Sequence, residues 1–330
     1  VAVTDSDLKA FYNAHKDDLK YEQKAERDVE IVSFPVAATA ADIEAIREDI
    51  TSLKEEFAES LNDSTYSMVF NDLKQYVVNS YSRADIDSIQ ADEIFAAADG
   101  AVVGPYRVAE TFKLYKVIGD DIDEKASVQH ILLKTPTEDD EISARADSIL
   151  KALKRGADFY SLAEKYTEDR PGFDTNKGLY EDFGKGQMVT EFEDFAFEND
   201  PGAMGVVKTT FGYHIMEVVG RESTPQKKVV ELVKNIRPSS ETLDVVYEEA
   251  SNFSIDNGNL EKFRAGAEAN GYTVKPSKGI APGAKVVGGI PDSRSITRWA
   301  YKAERSVGDV SQPIEFDDQF VIVALAGARE

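Results

Sequence analysis

The sequence contains no cysteine, one tryptophan and only three histidines. Without cysteine there is no disulfide framework, no thiolate nucleophile and no cysteine-based zinc site. No apolar run approaches the roughly 20 residues that a membrane-spanning helix requires. We therefore interpret the chain as a globular protein whose chemistry does not depend on thiols.

Basic residues are also scarce. The chain has 38 lysines and arginines against 61 aspartates and glutamates, which gives a formal net charge of -23. Nucleic-acid phosphates and anionic lipid surfaces are bound mainly by lysine and arginine, so we expect no nucleic-acid partner. The simplest consequence of this charge is solubility.

The printed sequence lacks the charged and apolar segments of a signal peptide, because Val1 leads directly into a polar helical stretch. We interpret this start as a truncation, which leaves room for a membrane anchor outside this sequence. Residues 1–24 are predicted to be an N-terminal helical segment with apolar Leu8, Phe11 and Tyr12. A lone helix of this length is not stable in water, so we expect it to pack on a partner.

A self-similarity with a period of about 100 residues runs through the rest of the chain. The copies open on AERDVEIVSFPV from Ala25, KASVQHILLKTP from Lys125 and QKKVVELVKNIRP from Gln226, and each of these runs fits a strand. A helix follows each opening. Each copy closes on a short helix, a glycine turn and two strands.

This pattern predicts an α+β protein of three tandem modules, each an antiparallel sheet flanked by helices, behind the N-terminal helix. The predicted modules are residues 25–120, 121–224 and 225–330, with polar linkers near residues 119–124 and 221–226. The chain length of 330 residues agrees with two or three domains. We expect the outer two modules to be degenerate copies of the middle one.

Two of the three histidines occupy matching places in the middle module, His130 on its first strand and His214 on its last. Side chains alternate along a strand, so each histidine shares a face with apolar neighbours two residues away. If these strands are neighbours in the sheet, the two imidazoles lie side by side.

The alternative is that both are hydrogen-bonded core histidines without a function. The flanking copies carry Ile31 or Val230 near the first position and Tyr115 or Val321 near the second. The module can therefore build its sheet without histidine, and a functional pair is the better explanation.

Four motifs follow one another over about 95 residues: VQHILLK, YTED, FGKGQMVTEFEDFAF and VKTTFGYHIMEV. Together they resemble the parvulin family, with a complete module from Ala126 to Arg221. The surrounding architecture is similar to the SurA- and PpiD-type periplasmic foldases, especially those of Bacteroidetes. The resemblance implies a peptidyl-prolyl cis/trans isomerase (rotamase) located in the periplasm or cell envelope.

The resemblance also implies the roles of individual residues. The catalytic set would be His130, His214, Asp169 in YTED, and Thr209 as the hydroxyl bonded to the histidine pair. The substrate-binding set would be Leu132, Tyr180, Met188, Phe192 and Phe211. The sequence departs from the family at KGLYE (Lys177 to Glu181), where Tyr180 replaces the usual pocket leucine.

Isomerisation of an X-Pro bond breaks no covalent bond and has a barrier of about 18–20 kcal/mol. An apolar slot and well-placed donors that favour the twisted amide are enough to lower this barrier. We therefore expect no nucleophile, no metal and no cofactor. The expected partners are unfolded or proline-containing polypeptides.

The loop TPTEDDE after the first strand is acidic, whereas phosphate-directed parvulins carry basic residues there, so a phosphorylated substrate should be repelled. An alternative function is a holdase chaperone or peptide-binding scaffold with little or no isomerase activity. A metal site formed by His130, His214 and Asp169 is disfavoured, because the sequence has no HExxH motif.

Overall fold

The computed structural model describes residues 3–15, 25–135 and 139–329. The first part contains α1 (Asp5–His15), β1 (Glu26–Pro35), α2 (Ala40–Ser52), α3 (Lys54–Glu59), α4 (Asp63–Phe70), β2 (Val77–Tyr81), α5 (Ser88–Ala96) and β3 (Val102–Val108). The middle part contains β4 (Thr111–Lys134), α6 (Asp140–Leu153), α7 (Phe159–Tyr166), α8 (Arg170–Asn176), β5 (Leu179–Gly184), α9 (Thr190–Glu198) and β6 (Met204–Thr209). The last part contains β7 (Gly212–Asn235), α10 (Ser240–Asp256), α11 (Leu260–Ala269), β8 (Lys275–Ile280), α12 (Arg294–Ala300), β9 (Ile314–Phe316) and β10 (Gln319–Arg329).

The chain folds into two compact units. One combines the residues up to Asp49 with those from Asn235 onward, and the other is Ile50–Lys234. This division differs from the predicted contiguous modules of residues 25–120, 121–224 and 225–330. Mixed helices and antiparallel strands are present as predicted.

The predicted linkers lie inside two long strands, since β4 and β7 each run through 24 residues without a break. The two strands are neighbours in one sheet. Their polar middle parts also pair with each other: Lys227 Nζ lies 2.6 Å from Asp120 Oδ1, and an Arg221 nitrogen lies 3.4 Å from Glu124 Oε1. The charged residues that the sequence analysis assigned to linkers therefore form ion pairs between two neighbouring strands.

The first unit is built on a four-stranded sheet in the order β8-β1-β10-β9. The opening strand of the first copy, β1, pairs antiparallel with β10, the closing strand of the third copy. Alternate residues of β1 face opposite sides, so Val29 and Ile31 enter one apolar core while Val32 and Phe34 enter the other.

Helix α1 also belongs to this first unit. The predicted N-terminal helix is observed over Asp5–His15, and none of its residues is buried. No helix in the described ranges has the length and apolar character needed to cross a bilayer.

The second unit contains a six-stranded sheet in the order β2-β7-β4-β3, with β5 beside β4 and β6 beside β7. The second half of β7, which opens the third copy, pairs with β2 of the first copy. The opening strand of the first copy thus pairs within the third copy, and the opening strand of the third copy pairs within the first. This is an exchange of strands relative to the predicted modules.

The middle copy keeps its elements together in the second unit. Ile131, Leu133 and Ile215 face α6 and α7, whose buried residues complete one core. Helix α6 is capped by Asp139, whose side chain accepts hydrogen bonds from two backbone amides of the first turn. The opposite face of the same strands packs against α9, and both histidines lie on that face.

Candidate active site

The two histidines lie side by side, as the strand pattern predicted. Nδ1 of His130 is 3.0 Å from Nδ1 of His214, and the rings are nearly parallel with centroids 5.2 Å apart. Both side chains are buried, with exposed fractions of 4% and 5%. Phe192 of α9 presents its ring edge-on to both imidazoles at 5.5 and 5.4 Å. The pair is therefore held in an apolar cage.

Asp169 approaches the other end of His130. It is the residue that caps α8, and its Oδ2 lies 3.4 Å from His130 Nε2. The hydroxyl oxygen of Thr167 accepts hydrogen bonds from the backbone amides of Leu132 and Asp169, at 3.1 and 3.3 Å. This buried threonine ties the turn that carries Asp169 to strand β4.

Tyr180 closes the same side of the site. It lies on β5 opposite Val128, and its hydroxyl donates a hydrogen bond of 3.0 Å to Asp169 Oδ2. Its ring meets that of His130 edge-on at 5.1 Å. Burial and the Asp169 carboxylate together raise the pKa of Tyr180 to about 12. The hydroxyl therefore keeps its proton and remains a donor at neutral pH.

Thr209 completes the network at the far end. Its hydroxyl is 2.9 Å from His214 Nε2 and accepts a hydrogen bond of 3.1 Å from the Phe211 backbone amide. Since the amide already donates to the threonine oxygen, the hydroxyl proton is free to point at His214. The direction of the bond between Thr209 and His214 Nε2 is set by the tautomer of His214.

The carboxylate and the amide fix the direction of the remaining hydrogen bonds. A carboxylate only accepts, so His130 carries its proton on Nε2 and its Nδ1 accepts from His214 Nδ1–H. His214 Nε2 then accepts from Thr209. Hydrogen bonds run in one direction from the Phe211 amide to His130 Nδ1, and the Nε2–H of His130 faces Asp169. The step of 3.4 Å between His130 Nε2 and Asp169 lacks hydrogen-bond geometry, so Nε2 has no hydrogen-bond partner.

Both histidines are held neutral. Burial lowers the pKa of His130 below its ordinary value, against the opposing effect of Asp169. Burial, followed by repulsion from His130, lowers the pKa of His214 to about 3. Lys208 lowers the pKa of His214 further, and Asp169 opposes this. At neutral pH the pair is an uncharged relay of hydrogen bonds.

A cavity of about 670 Å³ opens beside the pair. Of the residues predicted for the site, it is lined by His130, Leu132, Asp169, Tyr180, Met188, Phe192, Phe211 and His214. Thr209 lies behind His214, outside the lining. Three further lining residues were not predicted: Lys134, Gln187 and Val189. Gln187 adjoins Met188 in the GQM motif, which could have indicated it.

Two family models, both described as a PPIC-type PPIase domain, match residues 112–222 and residues 3–127. The chain contains parvulin domains. The predicted family and its enzyme class, peptidyl-prolyl cis-trans isomerase, are confirmed at the level of these domains. The match at residues 112–222 contains both histidines, Asp169 and the cavity.

Curated relatives agree with this assignment over part of their length. The parvulin chain is 39% identical over 127 residues to foldase protein PrsA 4 of Bacillus cereus, which is 38% of this chain and 42% of that protein. It is 30% identical over 141 residues to chaperone SurA of Pseudomonas fluorescens, 40% of this chain and 33% of that protein. This chain thus spans less than half the length of these relatives. The expected Bacteroidetes origin stays a prediction.

Among solved structures, the parvulin domain of PpiD from E. coli matches with 21% identity. The match covers 31% of this chain and 92% of that domain, with a TM-score of 0.26.

An alternative considered from the sequence is a metal site formed by His130, His214 and Asp169. In the ranges that the structure describes, no group of three or more histidine, cysteine, aspartate or glutamate side chains could hold a metal ion. The two Nδ1 atoms face each other at hydrogen-bond distance.

The degenerate copy in the second unit has a different pair at the histidine positions. Val117 and Val218 make the same backbone hydrogen bonds to the preceding glycine turn, so Lys113 corresponds to His214. Lys113 Nζ lies 2.7 Å from Glu231 Oε2, across the same two strands. Glu231 therefore takes the place of His130, where the sequence comparison had placed Val230.

A stability measurement tests the neutral state of the histidine pair. Because both folded pKa values lie below the ordinary value of 6.5, the contribution is full above pH 6.5 and is lost as the pH falls. The loss should be about 1.4 kcal/mol per pH unit for each histidine that stays neutral. We expect the unfolding free energy of the wild type to fall more steeply between pH 7 and pH 5 than that of His130→Ala/His214→Ala. Equal slopes of unfolding free energy against pH in the two proteins would contradict a neutral histidine pair.

Proposed function

We propose that the parvulin domain of residues 121–224 catalyses cis/trans isomerisation of X-Pro bonds in unfolded or extended polypeptides by a non-covalent mechanism. The observation that carries this proposal is an open cavity of about 670 Å³ whose apolar wall adjoins the neutral histidine pair. Such a cavity accepts a proline ring and its two flanking peptide groups.

The apolar wall acts on the polarity of the amide. Met188 and Phe192 line the cavity, and Phe192 also touches both imidazoles. The planar amide owes much of its dipole to resonance, which is lost when the bond twists. Transfer into an apolar slot therefore costs the twisted amide less than the planar one, which is differential binding of the transition state. A thousandfold acceleration requires only about 4 kcal/mol.

The hydrogen-bond network supplies the second contribution. Asp169 and Thr209 orient the N–H donors of the two histidines. Because the pair is neutral, no positive charge has to be desolvated on burial. A rigid network beside the rotating carbonyl is preorganised for the twisted state. His130, His214, Asp169 and Thr209 act here as the catalytic set, with Leu132, Tyr180 and Phe211 as further substrate-binding residues.

The substrates are unphosphorylated. Asp139, Asp140 and Glu141 follow the first strand of the domain where phosphate recognition would need basic side chains. Glu138, which belongs to the same acidic loop, lies outside the described residues.

The relatives are named foldase and chaperone. By that analogy we infer that the clients are envelope proteins and that the protein works in the periplasm or cell envelope. A membrane anchor outside this sequence would agree with that location.

Exchange kinetics on a series of short X-Pro peptides test the isomerase. Met188→Ala removes part of the apolar wall without touching the hydrogen-bond network, and we expect kcat/KM to fall about tenfold, the size of effect expected when a few methylene groups leave an apolar pocket. Met68→Ala is the matched control, because Met68 is 52% exposed and outside the cavity. If the wild type does not accelerate isomerisation above the uncatalysed rate, the isomerase proposal is wrong and the peptide-binding scaffold remains.

A holdase or peptide-binding scaffold is the second candidate. It is favoured by a run of exposed apolar side chains in the second unit, namely Met68, Val69, Leu73 and Tyr76. In addition, Lys113 and Glu231 replace the histidine pair in the neighbouring copy, which could not catalyse by the mechanism above.

A further inference from the structure

One carboxylate oxygen lies near two donors in the site. Asp169 Oδ2 accepts the Tyr180 hydroxyl at 3.0 Å and lies 3.4 Å from His130 Nε2, which has no hydrogen-bond partner. The shorter bond goes to the tyrosine. The carboxylate is therefore held by Tyr180 just short of the position at which it would bond fully to His130.

Gly172 makes room for this arrangement. A Cβ atom at position 172 would lie 2.2 Å from Asp169 Oδ2 and 2.7 Å from the Tyr180 hydroxyl oxygen. Its backbone amide is also directed at the other carboxylate oxygen, at 3.4 Å. The contact between tyrosine and aspartate thus depends on a glycine in the first turn of α8, the helix that Asp169 caps.

We propose that Tyr180 is a positioning residue: its hydroxyl holds the Asp169 carboxylate away from His130 Nε2 and so keeps the proton affinity of the histidine pair low. This inference rests on the proposed function for its catalytic meaning, but the proton affinity itself is independent of activity. If the hydroxyl is removed, the carboxylate is free to close the gap to His130 and to stabilise an imidazolium.

The groups that face the histidine pair come from several elements. They are Asp169 at the start of α8, Tyr180 on β5, Lys208 on β6 and Lys134 on β4. Of these, only Asp169 is an anion. Moving this one carboxylate is therefore the change most able to raise the proton affinity of His130.

The tyrosine ring has a separate effect on the cavity. It packs edge-on against His130 and Phe192, with centroids 5.1 and 6.4 Å away. Tyr180→Phe keeps this ring and removes only the hydroxyl, whereas Tyr180→Leu removes both. The two variants therefore separate positioning from pocket shape: Phe should change the pH profile of kcat with little change in KM, and Leu should change both.

The test is a ¹⁵N NMR titration of the full chain, in which only three histidines have to be assigned. In Tyr180→Phe we expect the titration midpoint of the histidine pair to rise by about one pH unit, and the acid limb of kcat to move with it. Gly172→Ala, which displaces the same carboxylate, should shift the midpoint as well. In an Asp169→Asn background, Tyr180→Phe should have no effect on the midpoint.

Tyr213→Phe is the matched control, since Tyr213 packs in the core on the other face of the sheet. An unchanged midpoint in Tyr180→Phe would overturn the proposal, and so would an equal shift in the Asp169→Asn background. A shifted midpoint in a protein without isomerase activity would uphold the positioning role while removing the proposed function. The two failures are therefore distinguishable.

Discussion

Replacing Lys113 with methionine is expected to lower the unfolding free energy of the unit Ile50–Lys234 by about 3 kcal/mol, although the residue does not line the parvulin cavity. Glu231 is only 2% exposed, and among the described residues Lys113 is its one cationic partner. Removing that partner leaves a buried carboxylate without compensating charge, a change that typically costs 3–5 kcal/mol. Asn79 and the Tyr81 hydroxyl still donate to Glu231, which places the loss at the lower end.

The pH dependence of this loss identifies its cause. Burial acts to raise the pKa of Glu231, but hydrogen bonds from Lys113, Tyr81 and Asn79 and the lysine charge bring it below its ordinary value. In the wild type Glu231 therefore stabilises the fold above its unfolded pKa, and this is lost as the pH falls. In Lys113→Met burial prevails and the folded pKa rises, so the penalty shrinks as the carboxylate takes up a proton. The difference between the proteins should narrow between pH 7 and pH 5.

Denaturant unfolding of three proteins checks this prediction. Lys113→Met/Glu231→Leu removes both charges, and we expect it to be close to the wild type, since buried ion pairs often contribute little beyond an apolar pair of similar volume. Lys74→Met is a control on an exposed lysine of the same unit. A double variant as unstable as Lys113→Met would show that the unpaired Glu231 carboxylate is not the cause of the loss.

The paired histidines could be predicted from sequence because strand alternation and the repeat are local properties. His130 and His214 each fall on the face of a strand that carries apolar residues, namely Val128 beside His130, and Met216 and Val218 beside His214. Their separation of 3.0 Å, and the direction of the hydrogen bonds, needed the structure. Neither the spacing of residues nor strand alternation determines how an imidazole ring is rotated about its side-chain bonds.

The exchange of strands could not be predicted. The opening strands of the first and third copies have similar alternating patterns, and either could pair with either closing strand. In the structure β1 pairs with β10, and the second half of β7 pairs with β2. Pairing partners are chosen by contacts far apart in sequence, which a local pattern does not encode.

The residues at the degenerate site show how sensitive such comparisons are to register. The sequence comparison placed Val230 and Tyr115 near the histidine positions, whereas the structure has Glu231 and Lys113 there. A shift of one residue, as between Val230 and Glu231, moves a side chain to the other face of the sheet. The Lys113–Glu231 pair is therefore missed when the copies are compared by sequence alone.

The histidine pair offers the sharpest separation of isomerase from holdase. We expect His130→Ala/His214→Ala to lose about a hundredfold in kcat/KM on X-Pro peptides, the loss typical of removing preorganised hydrogen-bonding groups. Both side chains lie beside the cavity and not on the exposed apolar run of Met68 to Tyr76. Suppression of aggregation of an unfolded client should therefore be retained.

Loss of stability is the competing explanation, because both histidines are buried. Ile131→Ala is the matched control: Ile131 is adjacent to His130 and fully buried, but it faces the opposite core. We expect this variant to be destabilised and still to isomerise X-Pro bonds. If the double histidine variant keeps its turnover, catalysis does not pass through the pair. If isomerase turnover and client protection are lost together while the fold persists, clients bind at the same cavity in which their X-Pro bonds isomerise.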